Sequence, residues 1–368
     1  MAEITTAQRE YFARPADERF DSLDALVKNA QADKEASAER AYNLKDLRAI
    51  VTESALHGEQ LRIASPRGIG RFTHFSFGQA CRALKIPASY MRSIPAELAA
   101  RCLNHGIDNS TVGEGANLLV RNGDTLMPVI RAWTSTTYGR AWDADIYGTI
   151  QKTFAHSEWK LPLNWDRKPD GAYRGDRDSL LLLVNGGSIL EDKTLSQAGQ
   201  DGTLFKGLLV RNSEVGNSSV FIDRILYRWV CGNMCLYSAV VDRRFRRRHV
   251  GSFVVRDVIR AISDTAVSWT AADNGRDQAI IDAITTHQLA HTKEGVIDEL
   301  QKIGLSKRMA TTAYEVCEEH EPASPYSTWG IVQGLTRLSQ ESGWQDQRVA
   351  LDLQASRLAN RAHLATAA

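Results

Sequence analysis

Apolar and polar positions alternate in three different rhythms along the chain. From the N-terminus to about residue 55 the stretch SLDALVKNAQADKEASAERAYNLKDLRAIV is rich in Ala, Leu, Lys and Glu and lacks Pro and Gly. This pattern predicts helices joined by polar connections, a helical N-terminal segment over 1–55. Pro66, Gly68 and Gly70 then punctuate a loop, and FTHFSF alternates as a short strand does. GQACRALKI predicts a helix that stops at Pro87, and ASYMRS and PAELAARCLNHG predict two more.

The middle of the chain reads as β-rich. Asn122-Gly123-Asp124 separates two apolar runs, a hairpin signal. SLLLLVNGG predicts a buried strand, and LFKGLLVRNSEVG a strand followed by a turn. The polar stretch from Leu163 to Asp178 predicts a long loop. VFIDRILYRWVCGNMCLYSAVV is apolar throughout, and its length favours a strand turning into a helix. From about Ser252, FVVRDVIRAISDTAVSWTAA and DQAIIDAITTHQLA return to helical spacing. GVIDELQKIGLSKRMATTAYEVCEEH follows as two helices around Gly304, and two further helices close the chain. The expected architecture is α+β, a mainly antiparallel sheet flanked by helices, with an α+β core domain at 56–251 and a helical C-terminal region at 252–368.

The 368 residues are 43% hydrophobic and 24% charged, which excludes wholesale disorder. No apolar run reaches the ~18 residues of a membrane-spanning helix. The polar N-terminus reads as neither a signal nor a transit peptide. Five cysteines at irregular spacing suit a reducing cytoplasm. The net charge of +1 hides strong local bias. Residues 62–140 carry ten Lys/Arg against four Asp/Glu, and residues 224–249 seven Arg against one Asp. Residues 264–321 carry five basic against eleven acidic residues. Either the basic part meets an anionic ligand, or the acidic third packs beside it and cancels it.

The densest feature is Arg243-Arg244-Phe245-Arg246-Arg247-Arg248-His249, with Asp242 the one acidic residue beside it. The planar guanidinium fork matches phosphate oxygens and stacks on bases, so an arginine run enclosing an aromatic suits a nucleic-acid backbone with a stacked base. In an extended chain Arg244, Arg246 and Arg248 share one face, and Arg243, Phe245 and Arg247 the other. The competing reading is a solvated loop, or a salt-bridge partner for the acidic third. Arg224 and Arg228, at helical spacing beside Tyr227 and Trp229, extend the basic surface or snorkel from core aromatics. Arg67 and Arg71 flank Gly68 and Gly70 in a turn that is half of a phosphate-binding glycine loop.

Other constellations carry less. Cys231 and Cys235 have no second pair for zinc. His287 and His291 have metalloprotease spacing, but Gln288 stands where the general base belongs. Asp143, Asp145, Asp176, Asp178, Glu214 and Asp223 are acidic residues of the β-rich middle, without a spacing that singles out a cation site. No cofactor motif is present.

Several segments together resemble one family. These are FSFGQACRALKIPASYMRSIPAELAARCLN, VIRAWTSTTYGRAWDADI, KGLLVRNSEVGNSSVFIDRILYRWVCGNMCL with RRRHVG, and STWGIVQGLTRLSQ. They are similar to the phage/plasmid-like proteins grouped as domain of unknown function 932, over roughly residues 60–350. NSEVG followed by CGN is the most specific part. Met234 stands where the family often has glycine. The resemblance implies a phage or plasmid habitat without an assigned chemistry. Ile225 to Tyr237 is also similar to a helix of eukaryotic-type single-strand annealing proteins, whose fold lines a basic groove and assembles into rings.

The expectation is therefore a non-enzymatic nucleic-acid-binding protein of a phage or plasmid, acting in the bacterial cytoplasm without a membrane. It binds or anneals single-stranded DNA as a homo-oligomer. Arg243, Arg244, Arg246, Arg247 and Arg248 are the phosphate contacts, Phe245 or His249 the stacking group, and Arg224, Arg228, Arg67 and Arg71 are second in rank. A metal-dependent nucleic-acid-processing enzyme and a structural or host-interaction protein are the alternatives.

Overall fold

The computed structural model describes residues 16–341 apart from 55–57, 112, 123–126, 164–167, 170, 192, 194–195, 197–201, 229–233, 236–244, 250–254 and 272–273, with scattered positions from 351 to 361. A short strand β1 (Arg19–Phe20) leads to helix α1 (Leu23–Glu35), whose N-cap Ser22 accepts a hydrogen bond from the Ala25 amide at 3.2 Å. The helix expected over the following residues is replaced by two strands, β2 (Ser37–Asn43) and β3 (Arg48–Ser54). Ala and Glu favour helix only weakly, and full-length pairing to a neighbouring strand overrides them. These strands join one sheet with later ones, so the first 55 residues do not stand apart as a helical unit.

Strands β4 (Gly58–Ser65) and β5 (Gly68–Phe72) form a hairpin around Pro66 and Arg67. The strand expected over FTHFSF ends at Phe72. Thr73 and Ser76 form a capping box there, and FSF lies in the first turns of α2 (His74–Ala83). The α2 C-terminus closes with the amides of Lys85 and Ile86 on the carbonyls of Arg82 and Cys81. This turn requires a left-handed residue, and Lys85 takes it at φ 60°. Glycine usually sits there, because a Cβ in that conformation costs about 1 kcal/mol. Helices α3 (Ala88–Met91) and α4 (Ala96–Asp108) follow. Strands β6 (Gly115–Arg121) and β7 (Val129–Thr134) are the antiparallel pair expected around Asn122, whose turn lies outside the described residues. The first sheet has six strands in the order β2-β6-β7-β5-β4-β3, with β5 and β7 parallel.

Helix α5 (Asp143–Phe154) precedes the second sheet. Its strands are β1, β8 (Trp159–Lys160), β9 (Ala172–Arg174), β10 (Ser179–Glu191), β11 (Thr203–Asn212), β12 (Val220–Arg228), β13 (Met234–Cys235) and β14 (Phe245–Arg247). The long loop expected before Asp178 is thus interrupted by β9. Leu180 to Leu183 are each at most 2% exposed, so the unbroken apolar run of β10 is covered on both faces. Cys235, in the stretch expected to turn from strand into helix, pairs in β13 with Leu226.

The C-terminal region is helical as expected up to Glu341: α6 (Val255–Ala271), α7 (Asn274–Thr286), α8 (Lys293–Lys302), α9 (Lys307–His320) and α10 (Thr328–Glu341); the last expected helix, from Arg348 onward, lies largely outside the described residues. Helix α6 packs on β12 and α7 on β10. The larger core cluster therefore joins Leu181, Leu208 and Val220 of the sheet to Trp269, Tyr314 and Trp329 of these helices. A second cluster lies between the six-stranded sheet and helices α2–α4, around Ile63, Phe77, Leu103 and Trp133. The fold is α+β, and among the described residues no helix is long and apolar enough to cross a membrane.

Candidate nucleic-acid interface

The turn Asn212–Gly216, which leaves β11 before β12, sits between the two sheets. Asn212 Nδ2 donates to the Ala141 carbonyl at 2.8 Å and to Asp143 Oδ1 at 2.7 Å. Ser213 Oγ donates to the Arg177 carbonyl at 2.6 Å, and the Ser213 carbonyl accepts the Tyr138 hydroxyl at 2.9 Å. The Val215 carbonyl accepts from Gln79 at 2.7 Å. Gly216 closes the turn at φ +84°, facing the Tyr138 ring, where a side chain would be strained.

Glu214 is the centre of a buried ion network. Its Oε2 accepts from Arg131 at 3.0 Å and Arg174 at 2.9 Å, its Oε1 accepts the Asp143 amide at 2.9 Å, and its carbonyl accepts Arg140. Asp33 of α1 meets the same two arginines at 2.6 Å each and Arg121 at 3.1 Å. Asp143 meets Arg174 at 2.9 Å, and Glu39 meets Arg140 at 3.1 Å. Four guanidinium groups thus face four carboxylates, contributed by both sheets, by α1 and α5 and by the turns between them. Buried charge of this kind is tolerable because each ion has partners.

The field of the network moves its titrations. Burial works against the Asp33 carboxylate, but Arg131 and Arg174 outweigh it and hold its pKa below the ordinary value. Asp143 goes the other way: burial and the neighbouring Glu214 charge push it up to about 6 against the pull of Arg174. Burial lowers Arg174, but Glu214, Asp143 and Asp33 raise it further, so it stays a cation. Asp143 and Glu214, two of the acidic residues considered as cation ligands, therefore aim their oxygens at guanidinium, amide and hydroxyl donors. Asp145 pairs with Lys34 at 2.5 Å.

The arginine run lies partly within the described structure. Arg243 and Arg244 fall outside it. Phe245, Arg246 and Arg247 form β14, the extended conformation considered for the run, and pair antiparallel with Ile222, Phe221 and Val220 of β12. Phe245 is half-buried against the large core, whereas Arg246, Arg247 and Arg248 are exposed. None of these three arginines is in an ion pair among the described residues; Arg246 lies 5.1 Å from the Phe221 ring centroid. The Arg248 backbone then leads into His249, which is 4% exposed. Its ring stacks on Tyr138 with centroids 5.0 Å apart, and its Nδ1 lies 3.1 Å from the Gly139 carbonyl. Burial lowers its pKa to about 4, with the Arg140 charge adding to that. His249 is therefore a neutral packing residue, and its ring, enclosed against Tyr138, is not the exposed stacking group expected for a base. Phe245 likewise turns its ring toward the core.

Arg224 and Arg228 lie on strand β12 rather than on a helix. Four residues apart on a strand they share a face, separated by about 13 Å instead of one helical turn. Arg224 lies over the Trp269 ring at 5.3 Å and donates to Ser268, as a snorkelling arginine does. Arg67 and Arg71 are exposed on the β4–β5 hairpin of the other sheet, where Arg71 stands opposite Arg62. Burial and the Arg71 charge lower the Arg62 pKa. His287 and His291 follow the end of α7 and do not share a helix face; His287 Nδ1 lies 2.8 Å from Thr328 Oγ1. Among the described residues no three metal-binding side chains converge.

No protein-family model, curated protein or solved structure matches the chain. Sequence reading missed the ion network, since its members are scattered from Asp33 to Glu214. The one local signal was the polar NSEVG turn closing an apolar strand.

Proposed function

We propose that the protein binds nucleic acid, single-stranded DNA first of all, along the sheet edge formed by β14. The observation that carries this reading is the row Arg246, Arg247 and Arg248, exposed and without a carboxylate in ion-pair range among the described residues. Three adjacent cations repel one another, and a polyphosphate backbone relieves that repulsion while releasing its own counterions. Arg243 and Arg244 precede the row in sequence and add to its charge. Among the described residues the acidic C-terminal third does not neutralise it. Asp264, Asp282, Glu299 and Glu315 pair with Arg260, Lys193, Lys302 and Lys293, and none of those partners lies in the arginine run. In the phage or plasmid setting that the family resemblance implies, the activity is binding or annealing of single strands in recombination or replication, by several copies of the chain together.

The test is fluorescence anisotropy with a labelled single-stranded oligonucleotide between 50 and 200 mM salt, comparing wild type with Arg246→Ala/Arg247→Ala/Arg248→Ala. Each single-strand phosphate contact contributes about 0.7 to the slope of log affinity against log salt. The variant should lose affinity and flatten that slope by about 2. An unchanged slope in a folded variant removes the β14 edge from consideration.

A further inference from the structure

A cleft of about 600 Å³ opens beside α2 and α3, at the junction with the second sheet. His74, Arg82, Lys85 and Arg92 line it from the helical side, and Arg177 from the turn before β10. All five side chains are exposed, no Asp or Glu lines the cleft, and none of the five is in an ion pair among the described residues. Arg92 is held in place by packing over the Phe77 ring at 5.3 Å and by donating to the His74 carbonyl at 2.9 Å. Arg177 lies 5.8 Å from the Phe75 ring, and its carbonyl is fixed by Ser213. Two of the cations are thus positioned by aromatic surfaces rather than by acids.

Lys85 supplies an independent observation. It occupies the left-handed turn position where glycine is least strained, yet it is an exposed lysine lining the cleft. Strain retained at a cleft points to a use for the side chain. The positive field is also visible in His74, whose pKa is lowered by burial and by the charges of Arg92 and Arg177.

We propose that this cleft binds a small molecule bearing two or more phosphate groups, such as a nucleoside di- or triphosphate, at a site separate from the β14 edge. The volume is that of a small-ligand pocket rather than of a strand-length groove. Four permanent cations exceed what one carboxylate or one monoester requires, and they match a chain of phosphates. Because Arg177 connects two strands of the second sheet and the helical residues pack on the first, the ligand bridges the two.

Calorimetric titration of the full chain with tripolyphosphate and with ATP, in chloride buffer, tests this. Wild type should bind both, and Arg177→Ala and Lys85→Gly should each weaken binding at least tenfold. The β14 triple variant should bind as wild type does, so a failure of the strand site leaves this measurement unaffected. Lys85→Gly should also raise the melting temperature, since it relieves the backbone, which separates lost binding from lost folding. Absence of binding by wild type, or binding by the two cleft variants equal to that of wild type, overturns the proposal. So does an oligonucleotide that binds in the cleft, losing affinity in the cleft variants, while tripolyphosphate does not bind.

Discussion

At the scale of single residues, burial sets two titrations of opposite sign in one pH window. His249 has its pKa lowered to about 4, below the ordinary 6.5, so its contribution to stability is present above pH 6.5 and lost as pH falls toward 4. Asp143 is raised to about 6 from 3.8, so its contribution is present below pH 3.8 and lost as pH rises through 6. In the wild type the two partly cancel between pH 4 and 6.5. Replacing His249 by Gln removes one of them. The stability advantage of wild type over His249→Gln should shrink by up to about 3 kcal/mol between pH 7 and pH 4, following 1.36 kcal/mol per pKa unit. Urea unfolding at intervals of half a pH unit reads this directly; parallel curves for the two proteins contradict it. The arginines of the β14 edge were legible residue by residue, because a local run of like charge needs no fold to be noticed. The role of His249 was not, because Tyr138 lies more than a hundred positions earlier in the chain.

At the scale of elements, glycine separates two kinds of helix contact. Gly330 and Gly334 are one turn apart on α10, and α9 lies against that helix. A Cβ at Gly334 would come within 2.5 Å of the Ala313 carbonyl and 2.9 Å of Cys317 Cβ, both on α9. Gly334→Ala should therefore force the helices apart and cost about 1–3 kcal/mol. Gly148 in α5 is different: a Cβ there meets Val27 at 4.0 Å, an ordinary contact. Gly148→Ala should stabilise the protein by about 0.5–1 kcal/mol through helix propensity alone. Thermal unfolding should shift in opposite directions for the two variants, and a common sign would falsify the packing argument. The C-terminal helices and the β6–β7 and β10–β11 strands could be read from periodicity and turn residues. Strand β2 could not, since its Ala, Glu and Arg residues carry helical preference and only pairing with β6 makes it extended; β3 did carry a strand signal in the β-branched run Ile50-Val51-Thr52, hidden by the helical composition before it.

For the whole molecule, the buried ion network joins the two sheets. Arg131 comes from β7, Arg174 from β9, Asp33 from α1, and Glu214 from the turn between β11 and β12. Glu214→Gln leaves Arg131 and Arg174 facing one carboxylate fewer in a buried site. Breaking a buried pair in this way costs about 3–5 kcal/mol. It also removes the charge that raises Asp143, so the Asp143 pKa should fall. Guanidinium unfolding checks the first expectation, and carboxyl NMR of Asp143 the second; an unshifted midpoint would show that the network does not hold the sheets together. The network also reassigns the basic middle of the chain. Arg121, Arg131 and Arg140 neutralise carboxylates inside the protein, whereas Arg82, Lys85, Arg92 and Arg177 line an open cleft.

Local order in the chain was enough for the α+β class, the helical C-terminal region, the hairpin around Asn122 and the conspicuous arginine run, because each depends on neighbours within a few residues or on periodic burial. Which arginines are buried in ion pairs and which face solvent depends on carboxylates brought in from distant segments, and no spacing rule encodes that. The basic cleft arises the same way: four cations from residues 82 to 177 meet only when the two sheets close against each other.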